Sequence, residues 1–403
     1  MIIRRIGIVG IGGFGWTHVD NLALLHERGR LRLTAAADPV YERFDRSVDR
    51  LKGFGVRFFR SLEELLDSGM VDAVTCATPI PLHAAMSLYC AAREVSFYME
   101  KPPAVTIQDM DRIMEAVNRY GVTAAVGFHY LSMPSTKAVK EMVVSNRFGP
   151  VREVVASGVW KRLDSYYDRT SWAGNLMEDG KHVLDGTLFN PLAHVLHLAL
   201  YFASSEPDET AKPLRVRAEL YHVHRIPSED NACLEAELEN GVRLLFYGTL
   251  CAADDLPPEI IVDMERGSIR WRLDSKVTIV ENGDERVQVF PIPDDRVHLL
   301  AFGSFVDAVA GRGKVDCPPA LCRSFVQLGN GAFLSSGLPH DISERYIRRV
   351  RVEGSRTAEL IGIREMIRRA VRERKTFADL EIPWAVPGNW VDVSNLREFK
   401  LFQ

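Results

Sequence analysis

The stretch Ile6-Gly7-Ile8-Val9-Gly10-Ile11-Gly12-Gly13-Phe14-Gly15 decides the fold of the first part of this 403-residue chain. It places the spacing G-x-G-x-x-G directly after an apolar strand and before a helical pattern. At that spacing Gly10 permits a tight turn, Gly12 lets a pyrophosphate approach the backbone, and Gly15 lets the helix pack closely on the strand. The segment therefore predicts the strand, loop and helix of a dinucleotide-binding fold.

Other residues suit the remaining parts of a dinucleotide. Gly13 and Phe14 complete the loop at the amino terminus of the helix, where phosphate oxygens bind. Asp38 ends the second apolar run, 23 residues after Gly15, where an acid meets the ribose hydroxyls and repels a 2'-phosphate. This position favours NAD over NADP as the cofactor, although Arg43 offers a 2'-phosphate an alternative partner.

The pattern of apolar runs predicts an α/β fold class with three regions. Residues 1–128 alternate short apolar runs with helical periodicity, which predicts a Rossmann domain with a parallel sheet. Residues 129–295 predict a substrate-binding and oligomerisation α+β domain with a large, mostly antiparallel sheet, because the turns Asn240-Gly241 and Asn282-Gly283 are typical of hairpins. Residues 296–403 predict a mostly helical region that packs on both domains. The helices expected after residue 190 cover 191–203, 297–311, 319–334 and 357–374.

Composition excludes several classes of protein. A net charge of -4 gives no positive field for nucleic acid, so we expect no nucleic-acid partner. The longest apolar stretch, 195–203, is too short to cross a bilayer, so we expect no membrane association. The six cysteines form no C-x-x-C pair, which favours a reducing cytoplasm. We expect no metal site, because His222 and His224 have no third ligand at a supporting spacing.

Polar clusters follow the third and fourth long apolar runs. The first contains Thr78 and Pro79, with His83 close behind, and the second is Glu100-Lys101-Pro102. Since ligands bind at the carboxyl ends of strands in open α/β sheets, we expect Thr78, Pro79, His83, Glu100 and Lys101 to contact the cofactor. Turn formation by the prolines and a surface position for His83 are the simpler alternatives.

Together the glycine loop, Asp38, the Ala77-Thr78-Pro79 stretch with His83, and Glu100-Lys101-Pro102 resemble the Gfo/Idh/MocA family of oxidoreductases. The family is named for glucose-fructose oxidoreductase and inositol dehydrogenase. The resemblance is specific to about residue 128 and looser to about residue 290. It implies that Lys101 lies between nicotinamide and substrate, where its charge favours an alkoxide.

The resemblance also implies an acid and a histidine four residues apart in the second domain, the histidine accepting a proton. The histidine is His194, but Asn190 replaces the acid. Asn190 followed by Pro191 is also typical of a helix start, with the amide as cap and proline in the first turn. Asp185, in the preceding loop, is a candidate replacement for the acid. Whether Asn190 or Asp185 partners His194 stays open at this point.

The segment between residues 160 and 175 is rich in side chains that suit a polyhydroxylated ligand. Aromatic faces pack on the C–H surfaces of sugars, and amides and cations bind their hydroxyls. The same mixture also occurs in oligomer interfaces. The substrate contacts expected here are Trp160, Arg162, Tyr166, Tyr167, Trp172 and Asn175.

These observations lead to the hypothesis of an NAD(P)-dependent dehydrogenase acting on a hydroxyl of a sugar, cyclitol or sugar derivative. Two rivals stay open: a redox-neutral enzyme with tightly bound NAD, such as a glycosidase or a sugar-sugar oxidoreductase, and a non-catalytic regulator of sugar metabolism. The resemblance further implies a homodimer or homotetramer. Basic residues around Arg345, Arg348, Arg349 and Arg351 are read as a solvated or interface surface.

Overall fold

The computed structural model describes residues 4–352 and 354–401. The strands, in chain order, are β1 (Arg5–Val9), β2 (Arg32–Ala37), β3 (Arg57–Phe59), β4 (Ala73–Cys76), β5 (Ser96–Met99), β6 (Ala124–Val126), β7 (Val151–Lys161), β8 (Met177–Glu178), β9 (Lys181–His182), β10 (Pro213–His222), β11 (Asn231–Leu238), β12 (Arg243–Thr249), β13 (Cys251–Met264), β14 (Gly267–Arg272), β15 (Lys276–Glu281), β16 (Asp284–Val289), β17 (His340–Asp341), β18 (Ile347–Val352), β19 (Ser355–Leu360) and β20 (Val391–Asp392). The helices are α1 (Gly15–Glu27), α2 (Asp45–Lys52), α3 (Leu62–Asp67), α4 (His83–Ala92), α5 (Ile107–Tyr120), α6 (Pro134–Val144), α7 (Asp164–Tyr167), α8 (Ala193–Phe202), α9 (Val297–Val309), α10 (Arg323–Ser336) and α11 (Ile363–Glu373).

The first of two compact units comprises residues 4–104, Asp109–Met133 and Ile292–Cys322. Its six strands form a parallel sheet in the order β3-β2-β1-β4-β5-β6, which confirms the predicted Rossmann fold. The central strands are apolar and buried because helices cover the sheet. Helix α9 belongs to this unit, since Phe302, Phe305 and Val306 join the buried cluster of β1 and α1.

The second unit comprises Val105–Gln108, Pro134–Pro291 and the described residues from Arg323 to 401. Its large sheet has the order β16-β15-β14-β13-β7-β12-β11-β10-β17, with β20 beside β10. Most pairs are antiparallel, as predicted, and the β7 with β12 and β10 with β17 pairs are parallel. The predicted turns are confirmed, because Gly241 and Gly283 both have a positive φ between antiparallel strands.

The last hundred residues differ from the mostly helical prediction. The β18–β19 hairpin turns at Gly354, which has φ +81°, and the helix expected over 357–374 begins only at Ile363. The reason is that Ala358 and Leu360 bury their side chains in an apolar cluster on the large sheet while the intervening Glu359 pairs with Arg348. The region is also shared: residues 292–322 belong to the first unit and those from Arg323 onward to the second.

The apolar cluster on this face of the sheet joins two parts of the second unit. The sheet contributes side chains such as Leu245 and Tyr247, and the segment from Ala358 to Trp384 covers them. The Tyr247 hydroxyl lies 3.1 Å from the carbonyl oxygen of Ala370 and 2.9 Å from that of Lys375, so its single proton links the end of α11 and the chain that follows it to the sheet. Among the described residues, no helix has both the length and the apolar character needed to cross a membrane.

Candidate functional site

The glycine loop of the first unit has the close contacts that its spacing predicts. Gly10 has φ +79°, and a Cβ atom there would lie 2.4 Å from the carbonyl oxygen of Ala77. A Cβ atom at Gly15 would lie 2.2 Å from the carbonyl oxygen of Gly10. Only glycine fits at these two positions, since both neighbours are backbone atoms.

The other loop residues leave room above the amino terminus of α1. A Cβ atom at Gly13 would meet no heavy atom within 4 Å, and Phe14 is 50% exposed. A Cβ atom at Gly12 would instead lie 2.2 Å from the ring of Phe44, a neighbour that the sequence did not reveal. The open side of the loop therefore lies at Gly13, where a phosphate has space beside the helix terminus.

Asp38 lies against this loop at the end of β2. One carboxylate oxygen, Oδ2, accepts a hydrogen bond from the Ile11 amide at 3.1 Å, and Oδ1 accepts one from the Val40 amide at 3.0 Å. The side chain is largely buried, with 8% exposure. This is the position that a ribose-binding acid requires, next to the phosphate loop.

His83 connects the two polar loops that follow β4 and β5. Its Nε2 atom lies 2.7 Å from the Thr78 carbonyl oxygen, and its Nδ1 atom lies 2.7 Å from the Pro102 carbonyl oxygen. Burial lowers the pKa of His83, because an imidazolium is poorly solvated there. Both ring nitrogens are thus engaged by the protein backbone, and contact between His83 and a cofactor stays a prediction, as it does for Thr78 and Pro79.

Glu100 is the first residue of the loop Glu100-Lys101-Pro102, here called the lysine loop. It is bound by a histidine that the sequence did not reveal. Its Oε1 atom lies 3.0 Å from Nε2 of His18, and its Oε2 atom accepts a hydrogen bond from the Lys101 amide at 3.2 Å. Burial opposes ionisation of Glu100, but the hydrogen bond and charge of His18 outweigh it and lower the pKa of Glu100. The only signal for His18 was its place on α1, three residues after Gly15. Glu100 therefore fixes the backbone that carries Lys101.

Two more histidines lie near Lys101 in the first unit. The ring centroids of His129 and His298 are 4.0 Å apart. Burial, followed by the charges of His298 and Lys101, holds the pKa of His129 well below its usual range. Burial also lowers the pKa of His298. No local pattern could have predicted this pair, because the two residues lie far apart in the chain.

In the second unit, Asp185 and Asn190 form a pair. The Asn190 amide donates to Oδ1 of Asp185 at 2.6 Å. The other carboxylate oxygen, Oδ2, accepts hydrogen bonds from the Gly174 amide at 2.8 Å and from Arg169 at 3.1 Å. Asp185 is almost completely buried, with 2% exposure. Asp185 and Asn190 are thus hydrogen-bonded to each other, and which of them partners His194 stays a prediction.

The cap predicted at Asn190 is wrong. Helix α8 begins at Ala193, its N-cap position is Leu192, and no side chain caps it. The side-chain N–H group of Asn190 donates to Asp185. His194 lies in the first turn of α8 with 6% exposure. Asn190 and His194 therefore lie on a turn and the helix that follows it, rather than on one continuous helix.

A buried glutamate, Glu229, holds the turn that precedes α8, so the helix begins at Ala193 rather than at residue 191. Oε1 of Glu229 accepts a hydrogen bond from the Leu188 amide at 2.9 Å, and its carbonyl oxygen accepts one from the Thr187 amide at 3.0 Å. A Cβ atom at Gly186 would lie 2.2 Å from this carboxyl group. Burial raises the pKa of Glu229 to about 7, and the nearby charge of Asp185 adds to the shift. Glu229 holds the turn from Gly186 to Leu188 in place.

Several of the predicted substrate residues stack with arginines beside Asp185. The guanidinium of Arg162 lies 4.9 Å from the ring of Trp160 and 5.3 Å from that of Tyr166. Arg169 lies 3.8 Å from Tyr166 and 5.0 Å from the ring of Trp172. Burial and the charge of Asp185 raise the pKa of Tyr166 to about 12. The structure thus brings aromatic and cationic groups together, as a sugar-binding surface requires.

The other two predicted substrate residues have different surroundings. The ring of Tyr167 packs on His224, with centroids 4.9 Å apart, and Tyr167 is 8% exposed. The Asn175 side chain donates to the Ser171 carbonyl oxygen at 2.7 Å, and the backbone carbonyl oxygen of Asn175 accepts a hydrogen bond from the backbone amide of Asp185. Asn175 therefore supports the loop around Asp185. Substrate contact for both residues stays a prediction.

His224 also has acidic and thiol neighbours that its spacing did not reveal. Nδ1 of His224 lies 2.8 Å from Oδ2 of Asp230 and 3.4 Å from Sγ of Cys251. Asp230 also accepts hydrogen bonds from the amides of Val223 and His224. The three side chains are buried, and their possible ligand atoms lie within 4.8 Å of one another. The absence of a metal site stays a prediction.

The parallel sheet, the glycine loop and Asp38 define a dinucleotide-binding Rossmann domain, followed here by a unit with a large mixed sheet. The chain belongs to the Gfo/Idh/MocA oxidoreductase family. Residues 4–128 match the model of the family's NAD-binding Rossmann fold, and residues 136–270 match a model of its C-terminal domain. The expected family and its NAD-binding domain are therefore confirmed.

Curated relatives match only part of this chain. The rhizopine catabolism protein MocA of Rhizobium meliloti is 28% identical over 45% of this chain and 55% of its own length. Inositol 2-dehydrogenase of Rubrobacter xylanophilus is 35% identical over 36% of this chain and 40% of its own length. The matched region thus spans about half, or less, of these relatives.

Solved structures resemble the chain over a greater length at lower identity. Levoglucosan dehydrogenase in complex with NADH has a TM-score of 0.71 and 16% identity, covering 85% of this chain and 100% of that one. The WlbA dehydrogenase of Bordetella pertussis, in complex with NADH and UDP-GlcNAcA, has a TM-score of 0.68 and 23% identity, covering 83% and 96%. At these identities the likeness establishes a shared fold.

Proposed function

We propose that the protein is an NAD-dependent dehydrogenase that acts on a hydroxyl-bearing carbon of a sugar, cyclitol or sugar derivative. The observation that carries the proposal is the fixed lysine loop: Glu100 binds both His18 and the Lys101 amide, so that Lys101 is held after β5 of an NAD-binding Rossmann sheet. The named activities of relatives, among them inositol and levoglucosan dehydrogenases, support this class of substrate.

The residues of the first unit fit a dinucleotide. The open space beside Gly13 would take the pyrophosphate at the amino terminus of α1. The carboxylate of Asp38 would bind the adenosine ribose, which favours NAD over NADP. When bound, NAD supplies the carbon that accepts or returns hydride.

His194 and Lys101 carry the proton chemistry in this proposal. His194 takes the proton of the reacting hydroxyl, and the ammonium of Lys101 stabilises the oxygen as negative charge develops. Asn190, whose amide is bound by Asp185, orients the imidazole. Arg162, Tyr166 and Trp172 form the surface on which the ring of the substrate packs.

The test is a substrate screen with the purified full chain. NAD and NADP are each offered with inositols, sugars and sugar acids, and formation of the reduced cofactor is followed by absorbance. We expect NADH to accumulate with at least one of these compounds. His194→Ala and Lys101→Met should then lower kcat by about 100-fold or more, and Lys101→Arg by less. Turnover of His194→Ala at the native rate would show that the assignment is wrong.

The same screen separates the two rival functions. A redox-neutral enzyme would retain NAD through purification and convert substrate without releasing NADH. A non-catalytic regulator would bind NAD and a sugar, and no product would form with any compound. If NAD is retained and no NADH is released, the protein is a redox-neutral enzyme rather than a dehydrogenase. If no product forms with any compound, His194 and Lys101 have no catalytic role.

A cytoplasmic location and assembly into a homodimer or homotetramer belong to the same proposal. The cysteine spacing, which forms no C-x-x-C pair, supports a reducing compartment. For assembly, the structure offers the exposed strand β16 at the end of the large sheet, where Val287 and Val289 are 56% and 62% exposed. An unpaired edge strand with apolar side chains is a surface to which another chain can bind.

A further inference from the structure

A cavity in the second unit lies between the loop after β10 and the β18–β19 hairpin. Its volume is about 470 Å³, which is within the range of small-molecule sites. Four arginines line it: Arg225 from the loop and Arg349, Arg351 and Arg356 from the hairpin. From the sequence, two of these arginines, Arg349 and Arg351, are interpreted as part of a solvated or interface surface.

Among the residues that the structure describes, one of the four arginines forms an ion pair. Arg349 is paired with Glu344 at 2.5 Å, and the field of Arg225 adds to the hydrogen bond of Arg349 in lowering the pKa of Glu344. Among residues 4–352 and 354–401, neither Arg225 nor Arg351 nor Arg356 has an ion-pair partner. Like charges around one cavity repel each other, so the arrangement is most stable when an anion lies among them.

The wall of the cavity also contains two carboxylates beside its four arginines. These carboxylates are Asp164 and Asp168, and the charges of Asp164 and of the neighbouring Asp230 also act on Arg349. Asp164 is turned toward His224, with Oδ1 3.9 Å from Nε2 of that ring. His224 itself is buried and fixed by Asp230, and Tyr167 packs on its face. The wall of the cavity therefore combines a buried, hydrogen-bonded histidine with four arginines.

We propose that this cavity binds the phosphoryl group of a small molecule. A guanidinium keeps its charge at all physiological pH values and presents paired N–H donors that match phosphate oxygens. The volume also admits an organic group attached to the phosphate, such as one sugar ring. The inference concerns binding alone and does not depend on the proposed dehydrogenase activity.

The test measures binding of inorganic phosphate to the full chain by isothermal titration calorimetry. We expect saturable binding that persists when ionic strength is held constant with chloride. The double variant Arg351→Ala/Arg356→Ala should weaken this binding at least tenfold. Arg286→Ala is the matched control, because Arg286 is an exposed arginine on β16, outside the cavity, and should leave binding unchanged. Circular dichroism checks that each variant is folded.

The source of the phosphoryl group is decided by comparing glucose 6-phosphate, glucose and inorganic phosphate as ligands. If the sugar phosphate binds at least tenfold tighter than the other two, the site takes the phosphate of a sugar ligand. Similar binding of the two anions identifies a site for free phosphate. The proposal is overturned if phosphate binds no better than chloride, or if it binds equally well to the folded double variant.

Discussion

At the scale of single residues, Asp185 and Asn190, the two candidate partners of His194, are hydrogen-bonded to each other. The family acid is missing four residues before His194, yet a carboxylate lies 2.6 Å from the amide at that position. The pair has one acid and one amide, so the hydrogen bond has a fixed direction from Asn190 to Asp185. Two acids at this distance could not both be ionised.

The fixed direction of this hydrogen bond leads to a prediction in which the acid and the amide are exchanged. Asn190→Asp places two carboxylates together, and we expect kcat/KM to fall about tenfold or more at pH 8, with partial recovery at lower pH as one acid takes a proton. The double variant Asn190→Asp/Asp185→Asn restores one acid and one amide and should regain much of the activity. The pH profiles of kcat/KM for the three proteins are the measurement. Equal losses in the single and double variants would contradict the pairing as the cause.

Glu229 gives a second prediction, on stability and pH. Its folded pKa of about 7 lies above its ordinary 4.5, so the folded protein binds a proton that the unfolded chain has lost across this range. The free energy of unfolding therefore falls as pH rises from about 5 to 8, by up to about 3 kcal/mol from this group.

Glu229→Gln keeps an uncharged side chain of similar shape and should remove this part of the pH dependence. We expect the variant to match the native protein at pH 5.5 and to exceed it in stability at pH 8.5. Urea unfolding at both pH values measures the difference, and comparing two proteins at each pH cancels the other titrating groups. A variant that is less stable at pH 8.5 would show that Glu229 works as an ionised group.

At the scale of helices and strands, local patterns predicted what depends on local contacts. The glycine loop, the parallel strands and the Asn-Gly hairpins were predictable because turn geometry and strand burial are written in neighbouring residues. The start of α8 was not predictable, because Glu229, more than forty residues away in the chain, holds residues 186–188. The roles of His18 and of the pair of His129 and His298 were not predictable for the same reason, because their partners lie far away in the chain. The β18–β19 hairpin was missed because only the large sheet explains its buried face.

The apolar cluster between the large sheet and the segment from Ala358 to Trp384 leads to a prediction for one side chain. Phe377 is fully buried in the apolar cluster that joins the C-terminal segment to the sheet, and its ring lies 5.4 Å from that of Trp384. Phe377→Ala should lower the free energy of unfolding by about 3–5 kcal/mol, because a cavity replaces a buried ring. Ile361→Ala is the control, since Ile361 is 51% exposed, and should change stability by less than about 0.5 kcal/mol. A similar small effect at both positions, measured by urea unfolding, would mean that the segment does not stabilise the sheet.

At the scale of the whole chain, the large sheet has little free surface left for a second subunit in its central strands. One face packs on α8 and α10, and the other is covered by the chain from Ala358 to Trp384. Strand β16 differs, because all six of its residues are exposed. Side chains two residues apart on a strand point to the same face, so Val287 and Val289 form one apolar strip. The strip lies beside a sheet edge that pairs with no further strand among the described residues.

If the protein forms a homo-oligomer through this edge, a double charge should break it. Val287→Lys/Val289→Lys places two like charges on the strip of each copy, and two copies related by symmetry would then repel across the contact. We expect the native chain to have the mass of a dimer or tetramer in size-exclusion chromatography with light scattering, and the double variant to have a smaller mass at the same concentration. Val144→Lys changes an exposed valine on α6 and should leave the mass unchanged. An oligomer that survives the double variant would place the subunit contact on another surface, and a native chain of monomer mass at micromolar concentrations would end the expectation of an oligomer.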